Sequence, residues 1–216
     1  ERVIPRFFIY LGYLTLSSLI IFFISFLSVF KSIKHNHNLS VFAIFSSITI
    51  MFLFLVVINH GIYPESFIFP WLGGRVLERY IAAIFPLIFI LGGIGMIKKQ
   101  EISMKPIILM SLVLIFSASL LTIVLFPVNN MSLTYIGIIN TFLEKFFSTY
   151  AIMGIFAVIF GMLPLAAIKL YQKTSFKQIT SLAIIFFLIL GVLNYSVIAL
   201  NSYTYWYKGD QMQLGI

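Results

Sequence analysis

No cysteine occurs in the 216 residues, so a disulfide framework, a thiolate metal site and a cysteine nucleophile are all excluded, and the redox compartment stays open. Charge is nearly as scarce. Only 9% of the residues are Asp, Glu, Lys or Arg, and Asp210 is the single aspartate. A Gly-rich Walker loop, a serine nucleophile elbow, an HExxH helix and spaced carboxylates within the apolar runs are also lacking. Apolar runs so poor in ionisable groups argue against an ion or proton path through a bilayer.

Hydrophobic residues make up 61% of the chain, 24 of them Phe, and the mean hydropathy is +1.09. No single water-soluble core of this size can bury so much apolar surface, which points to an integral membrane protein. A formal net charge of +8 raises the question of nucleic acid. The basic residues instead lie in short loops between apolar runs, the positive-inside pattern, and nucleic acid is excluded as a partner.

Six apolar runs of bilayer length are expected: Phe7–Phe30, Leu39–Asn59, Ile81–Ile97, Pro106–Pro127, Tyr150–Ile168 and Gln178–Asn201. Pro86 and Pro164 are expected to kink the third and fifth, and the cluster Gly92-Gly93-Ile94-Gly95 to allow close helix approach. Between the fourth and fifth runs, Ile136, Ile139, Leu143 and Phe147 recur at spacings of three or four. They predict an amphipathic helix lying in the extracytoplasmic interface. Tyr203, Tyr205, Trp206 and Tyr207 close the last run as an aromatic belt. The fold class is therefore an all-α polytopic helix bundle, one transmembrane domain over residues 1–216. With Glu1 in place of an initiator Met, the chain is expected to be part of a longer protein that continues into an extracytoplasmic domain.

The loops after runs one, three and five hold Lys31, Lys34, Lys98, Lys99, Lys105, Lys169, Lys173 and Lys177 against the single acid Glu101. Those loops are expected to be cytoplasmic in a multi-pass cell-membrane protein, leaving both chain ends outside. The other side carries Arg2, Arg6, Arg75, Arg79, Lys145 and Lys208 against Glu1, Glu65, Glu78, Glu144 and Asp210. Orientation needs only lysine. All four arginines lying on the outer side asks for another reason, because guanidinium offers a rigid bidentate fork for phosphate or carboxylate.

That reason centres on Trp71-Leu72-Gly73-Gly74-Arg75-Val76-Leu77-Glu78-Arg79-Tyr80, a charged collar leading into the third run. If Gly73-Gly74 opens a helix, Arg75, Glu78 and Arg79 share one face. Two guanidiniums one turn apart, beside free helix N–H groups, can seat a phosphate or diphosphate; the other reading is an interfacial ion cluster that snorkels to the headgroups. His60 and Glu65 precede the collar in the same loop, as an acid, a base or a sugar-hydroxyl acceptor, or simply as helix-end polar residues. Three further features read more simply. His35 and His37 make a solvated turn in place of a metal pair, Glu144-Lys145 is the polar face of the interfacial helix, and Asn130-Met131-Ser132 is a sequon common by chance.

The collar followed by Ile81-Ala82-Ala83-Ile84-Phe85-Pro86 resembles the Arg-Tyr then Pro segment in later spans of membrane-embedded GT-C type glycosyltransferases. Tyr205-Trp206-Tyr207-Lys208-Gly209-Asp210-Gln211-Met212 similarly resembles the lead into the extracytoplasmic domain of archaeal and bacterial members. The resemblance covers most of the chain as topology and about twenty residues as motif. It implies a polyprenyl-phosphate-linked sugar donor, with Arg75 and Arg79 on the lipid phosphate, Tyr80 and Glu78 beside them, and inverting transfer to an acceptor. Family members carry the catalytic acid in an acidic pair of the first extracytoplasmic loop. No such pair occurs here, so the catalytic base is expected elsewhere in a longer protein and these residues alone are expected to be inactive. The remaining readings are a polymerase, ligase or flippase of envelope polysaccharide, or a non-catalytic membrane scaffold. Membrane lipids are partners under all of them; no motif names a cofactor.

Overall fold

The computed structural model describes residues 3–32, 37–62, 82–98, 102–120 and 134–214; for residues 3, 6, 31, 32, 60–62, 82, 119, 120, 134, 197, 198 and 200–214 it describes the backbone alone. Every regular element among them is helical. In chain order these are α1 (Val3–Ser17), α2 (Ile20–Ser32), α3 (His37–Ile62), a 3-10 turn (Ala82–Ile84) running into α4 (Phe85–Ile97), α5 (Met104–Leu120), α6 (Thr134–Leu143), α7 (Thr149–Lys173) and α8 (Phe176–Leu214).

Three stretches, His37–Asn59, Thr149–Lys173 and Phe176–Ser196, are long and apolar enough to cross a membrane. They are apolar on both sides. On α3, Ala43, Phe54 and Val57 turn inward, while Ile44, Ile48, Met51 and Leu55 are exposed. On α7, Ile152, Phe156 and Phe160 are buried, while Val158, Met162 and Leu165 are exposed. A helix apolar all round that still leaves half its surface uncovered suits hydrocarbon and not water, and this is a helical membrane protein.

The first expected run, Phe7–Phe30, is not one straight span. It divides into α1 and α2, whose axes bend by 102° at Ser18-Leu19. Serine weakens a helix because its hydroxyl competes for backbone groups. Here Thr15 Oγ1 donates to the Leu11 carbonyl at 2.8 Å and Ser18 Oγ to the Thr15 carbonyl at 3.3 Å. The Leu19 N–H donates to the Leu16 carbonyl at 3.2 Å, a tightened last turn, and Leu19 takes the left-handed φ of 52°. With this pair taken as one span, the span-length helices number up to four among the described residues. α4 and α5 are apolar but, at 13 and 17 residues, shorter than a bilayer-crossing helix.

Pro86 does not kink a span. It sits in the first turn of α4, where its missing N–H costs nothing. Pro164 lies inside α7 and is buried. The glycines do what the sequence predicts: a Cβ on Gly92 would stand 2.5 Å from the Phe22 carbonyl oxygen, and one on Gly95 would collide with the Ser25 carbonyl. Equal steps along both chains make α2 and α4 a parallel pair in backbone contact. α1 crosses α5, where Ser117 Oγ donates to the Phe8 carbonyl at 2.6 Å and leaves no room for a side chain at Gly12. Tyr10, Tyr13, Ile24, Ile88, Leu91 and Leu114 fill the centre.

α6 falls within the predicted interfacial stretch, but its stripe is shorter than expected. Ile136 is buried, Leu143 partly buried, and Ile139 and Phe147 exposed, because the helix stops at Leu143 and residues 144–147 turn. Glu144 and Lys145 are exposed, Glu144 Oε1 accepting from Asn140 Nδ2 at 3.1 Å. Thr174-Ser175 is the whole connection between α7 and α8. Ser175 Oγ accepts from the Gln178 N–H at 3.3 Å and Gln178 Oε1 accepts from the Ser175 N–H at 2.9 Å, a reciprocal capping box.

Candidate functional site

Of the residues singled out by sequence, His60 lies in the last turn of α3, described by its backbone alone; Glu65, Arg75, Glu78, Arg79 and Tyr80 lie outside the described residues, as does Asn130. The structure does describe the anchor of the collar. Ala82 follows Tyr80 by two residues, and from there Ile84, Ile88 and Leu91, all 0% exposed, form one inward stripe of the 3-10 turn and α4. The opposite demand is met by Gly92 and Gly95 on the α2 backbone. The collar thus leads, in sequence, into a helix whose backbone touches that of α2. His37, at the start of α3, is exposed, and no cluster of metal-ligating side chains occurs among the described residues.

A second feature had no counterpart in the sequence reading. Around the break between α1 and α2 lies a cavity of about 630 Å³. Leu16, Leu19, Ile20 and Ile21 form one wall, Leu163, Ala166, Ala167 and Leu170 of α7 a second, and Ile179, Leu182, Ala183 and Phe186 of α8 a third. Among the described lining residues, Tyr135 of α6 alone has a side chain that carries a polar atom. Its ring meets Phe186 edge-on at 5.7 Å between centroids, and burial pushes its hydroxyl from 10.0 up to about 12, so it stays protonated at neutral pH. The first-turn N–H groups of Ile20 and Ile21 have no backbone acceptor among the described residues, the ordinary state of a helix start. The available signal was Ser17-Ser18 inside an apolar run, a pair that weakens a helix without revealing which way the chain turns.

The lysine-bearing helix ends gather at one end of the bundle. Tyr171 Oη donates to the Gly95 carbonyl at 3.3 Å and Gly93 faces the Phe176 ring, so the end of α4, with Lys98, stands beside the α7–α8 turn, with Lys173 and Lys177. α2 runs parallel to α4 and ends at the same side. Comparison with protein-family models, curated proteins and solved structures finds no match to this chain. The glycosyltransferase resemblance rests on the residues quoted for it above.

Proposed function

We propose that this chain is the membrane part of a glycosyltransferase that takes sugar from a polyprenyl-phosphate-linked donor on the extracytoplasmic face. The observation that carries the reading is one of sequence: all four arginines fall outside the lysine-rich turns, and Arg75 and Arg79 lie four positions apart at the edge of an apolar run. The short apolar helices α4 and α5 complete a six-span bundle with α1–α2, α3, α7 and α8, the lysine turns are cytoplasmic, and both chain ends face outward. In this arrangement Arg75 and Arg79 neutralise the lipid phosphate and stabilise it as a leaving group. Tyr80 and Glu78 flank it, His60 and Glu65 meet the sugar, and a base supplied from elsewhere in the protein activates the acceptor hydroxyl.

The test is equilibrium binding of radiolabelled polyprenyl monophosphate to the full-length protein and its Arg75→Ala and Arg79→Ala variants. Each substitution is expected to cost about 1.5–3 kcal/mol, the range of a charge-assisted hydrogen bond. Unchanged affinity in both variants rules out the phosphate seat. One observation favours a second reading, a lipid-linked-sugar flippase: the helix broken by 102° beside a cavity, a feature discontinuous transporter helices share. Binding without transfer activity, together with movement of the lipid across vesicles, selects that reading.

A further inference from the structure

We infer that the cavity at the α1–α2 break holds one acyl chain of an anionic membrane lipid whose headgroup rests on the lysines of the α7–α8 turn. The inference does not depend on the arginine collar, which belongs to the opposite side in the transferase reading.

Depth is the first support. The α8 wall, Ile179 to Phe186, lies within about 14 Å of helix rise from Lys177, and the α7 wall begins about 15 Å before Lys173. Half of a hydrocarbon core of about 30 Å is the same distance, so the cavity has the depth of one leaflet and opens toward one headgroup layer. Chemistry is the second. Twelve of the thirteen described lining side chains are apolar, and the exception, Tyr135, stands with Phe186 at the end away from the lysines. At 630 Å³ the space is of the size that encloses a small molecule, about 300–1,000 Å³. Access is the third. Leu170 and Leu182 line the cavity while 44% and 52% exposed, so it is continuous with the lipid-facing surface between α7 and α8.

Charge selects the headgroup. Ala166, Lys169, Leu170 and Lys173 recur at helical spacing on one face of α7, which carries the cavity wall directly up to two ammonium groups. Lys169, Lys173 and Lys177 are exposed and have no ion pair among the described residues, and Lys98 is brought to the same end. Unpaired lysines at the headgroup level attract a phosphate-bearing anion.

The experiment uses the full-length protein in nanodiscs with two photoactivatable lipids of identical acyl chains, one phosphatidylglycerol and one phosphatidylcholine, followed by peptide mapping. The anionic probe is expected to label residues 163–170 and 179–186 about tenfold above the zwitterionic one, and Lys169→Gln, Lys173→Gln, Lys177→Gln together to erase that preference. Ala183→Phe, which fills the cavity, is expected to remove the labelling; Ala166→Phe, at an exposed lining position, does the same without entering the core, should the first variant fail to fold. Equal labelling by the two headgroups overturns the inference. So does labelling at these segments no stronger than on the exposed α3 face around Ile48 and Phe52.

Discussion

The α2–α4 contact and helix α8 are held in place in opposite ways. Between α2 and α4 the backbones touch: Gly92 and Gly95 present nothing that would separate them from the Phe22 and Ser25 carbonyls. α8 has 39 residues, about 58 Å by helix rise, and only Ile179, Ala183 and Leu190 are buried within its described apolar part. Among the described residues, no atom beyond its own stretch of α8 lies within 4 Å of where a Cβ on Gly191 would stand. In hydrocarbon an uncovered apolar face loses little, so association comes from close van der Waals approach, which only small residues permit. α8 needs only its cap and one narrow stripe.

The sharpest way to break this contrast is Gly92→Ala. With the new methyl aimed at a backbone carbonyl that no rotamer change can move, a loss of about 3 kcal/mol is expected, read as a lowered unfolding midpoint in detergent. No change would mean that α2 and α4 are not in backbone contact. A smaller effect is expected at the α1–α2 break. Leu19→Ala and Leu19→Gly remove the same side chain, but only glycine adopts φ of 52° freely, so Leu19→Gly should be the more stable of the two by about 1 kcal/mol. Equal stabilities would remove the left-handed turn as the cause of the bend. The smallest effect runs the other way: Gly191→Ala is expected to raise the midpoint by up to about 1 kcal/mol through helix propensity alone. A loss there would reveal a partner surface on α8.

Much of this architecture was legible in residues taken singly. The run of apolar residues around Ile44–Leu55 announces a helix that tolerates hydrocarbon, and Gly92–Gly95 announces a close contact. Pro86 was misread because proline has two natural places, a kink or a first turn, and local sequence does not say where the helix begins. Phe7–Phe30 was misread for a related reason: hydropathy measures length of apolar chain and is blind to direction, so two helices at 102° look the same as one straight span. The interfacial stripe was overextended at Phe147 because periodicity continues past the point where the helix stops. The collar is a motif of sequence, and its side chains lie outside the described residues.

Composition and pattern by themselves determined the apolar character of this protein, its helical class and where lysine and arginine fall along the chain, because each depends only on how much apolar surface there is and where charge interrupts it. Tertiary structure alone decided that Ser18-Leu19 turns the chain, that α2 and α4 run side by side, and that Leu16, Ala167 and Ala183 enclose a common hollow. Those features arise where residues distant in the chain meet. Whether two apolar surfaces fit or leave a space depends on shape, and hydrophobicity carries no record of shape.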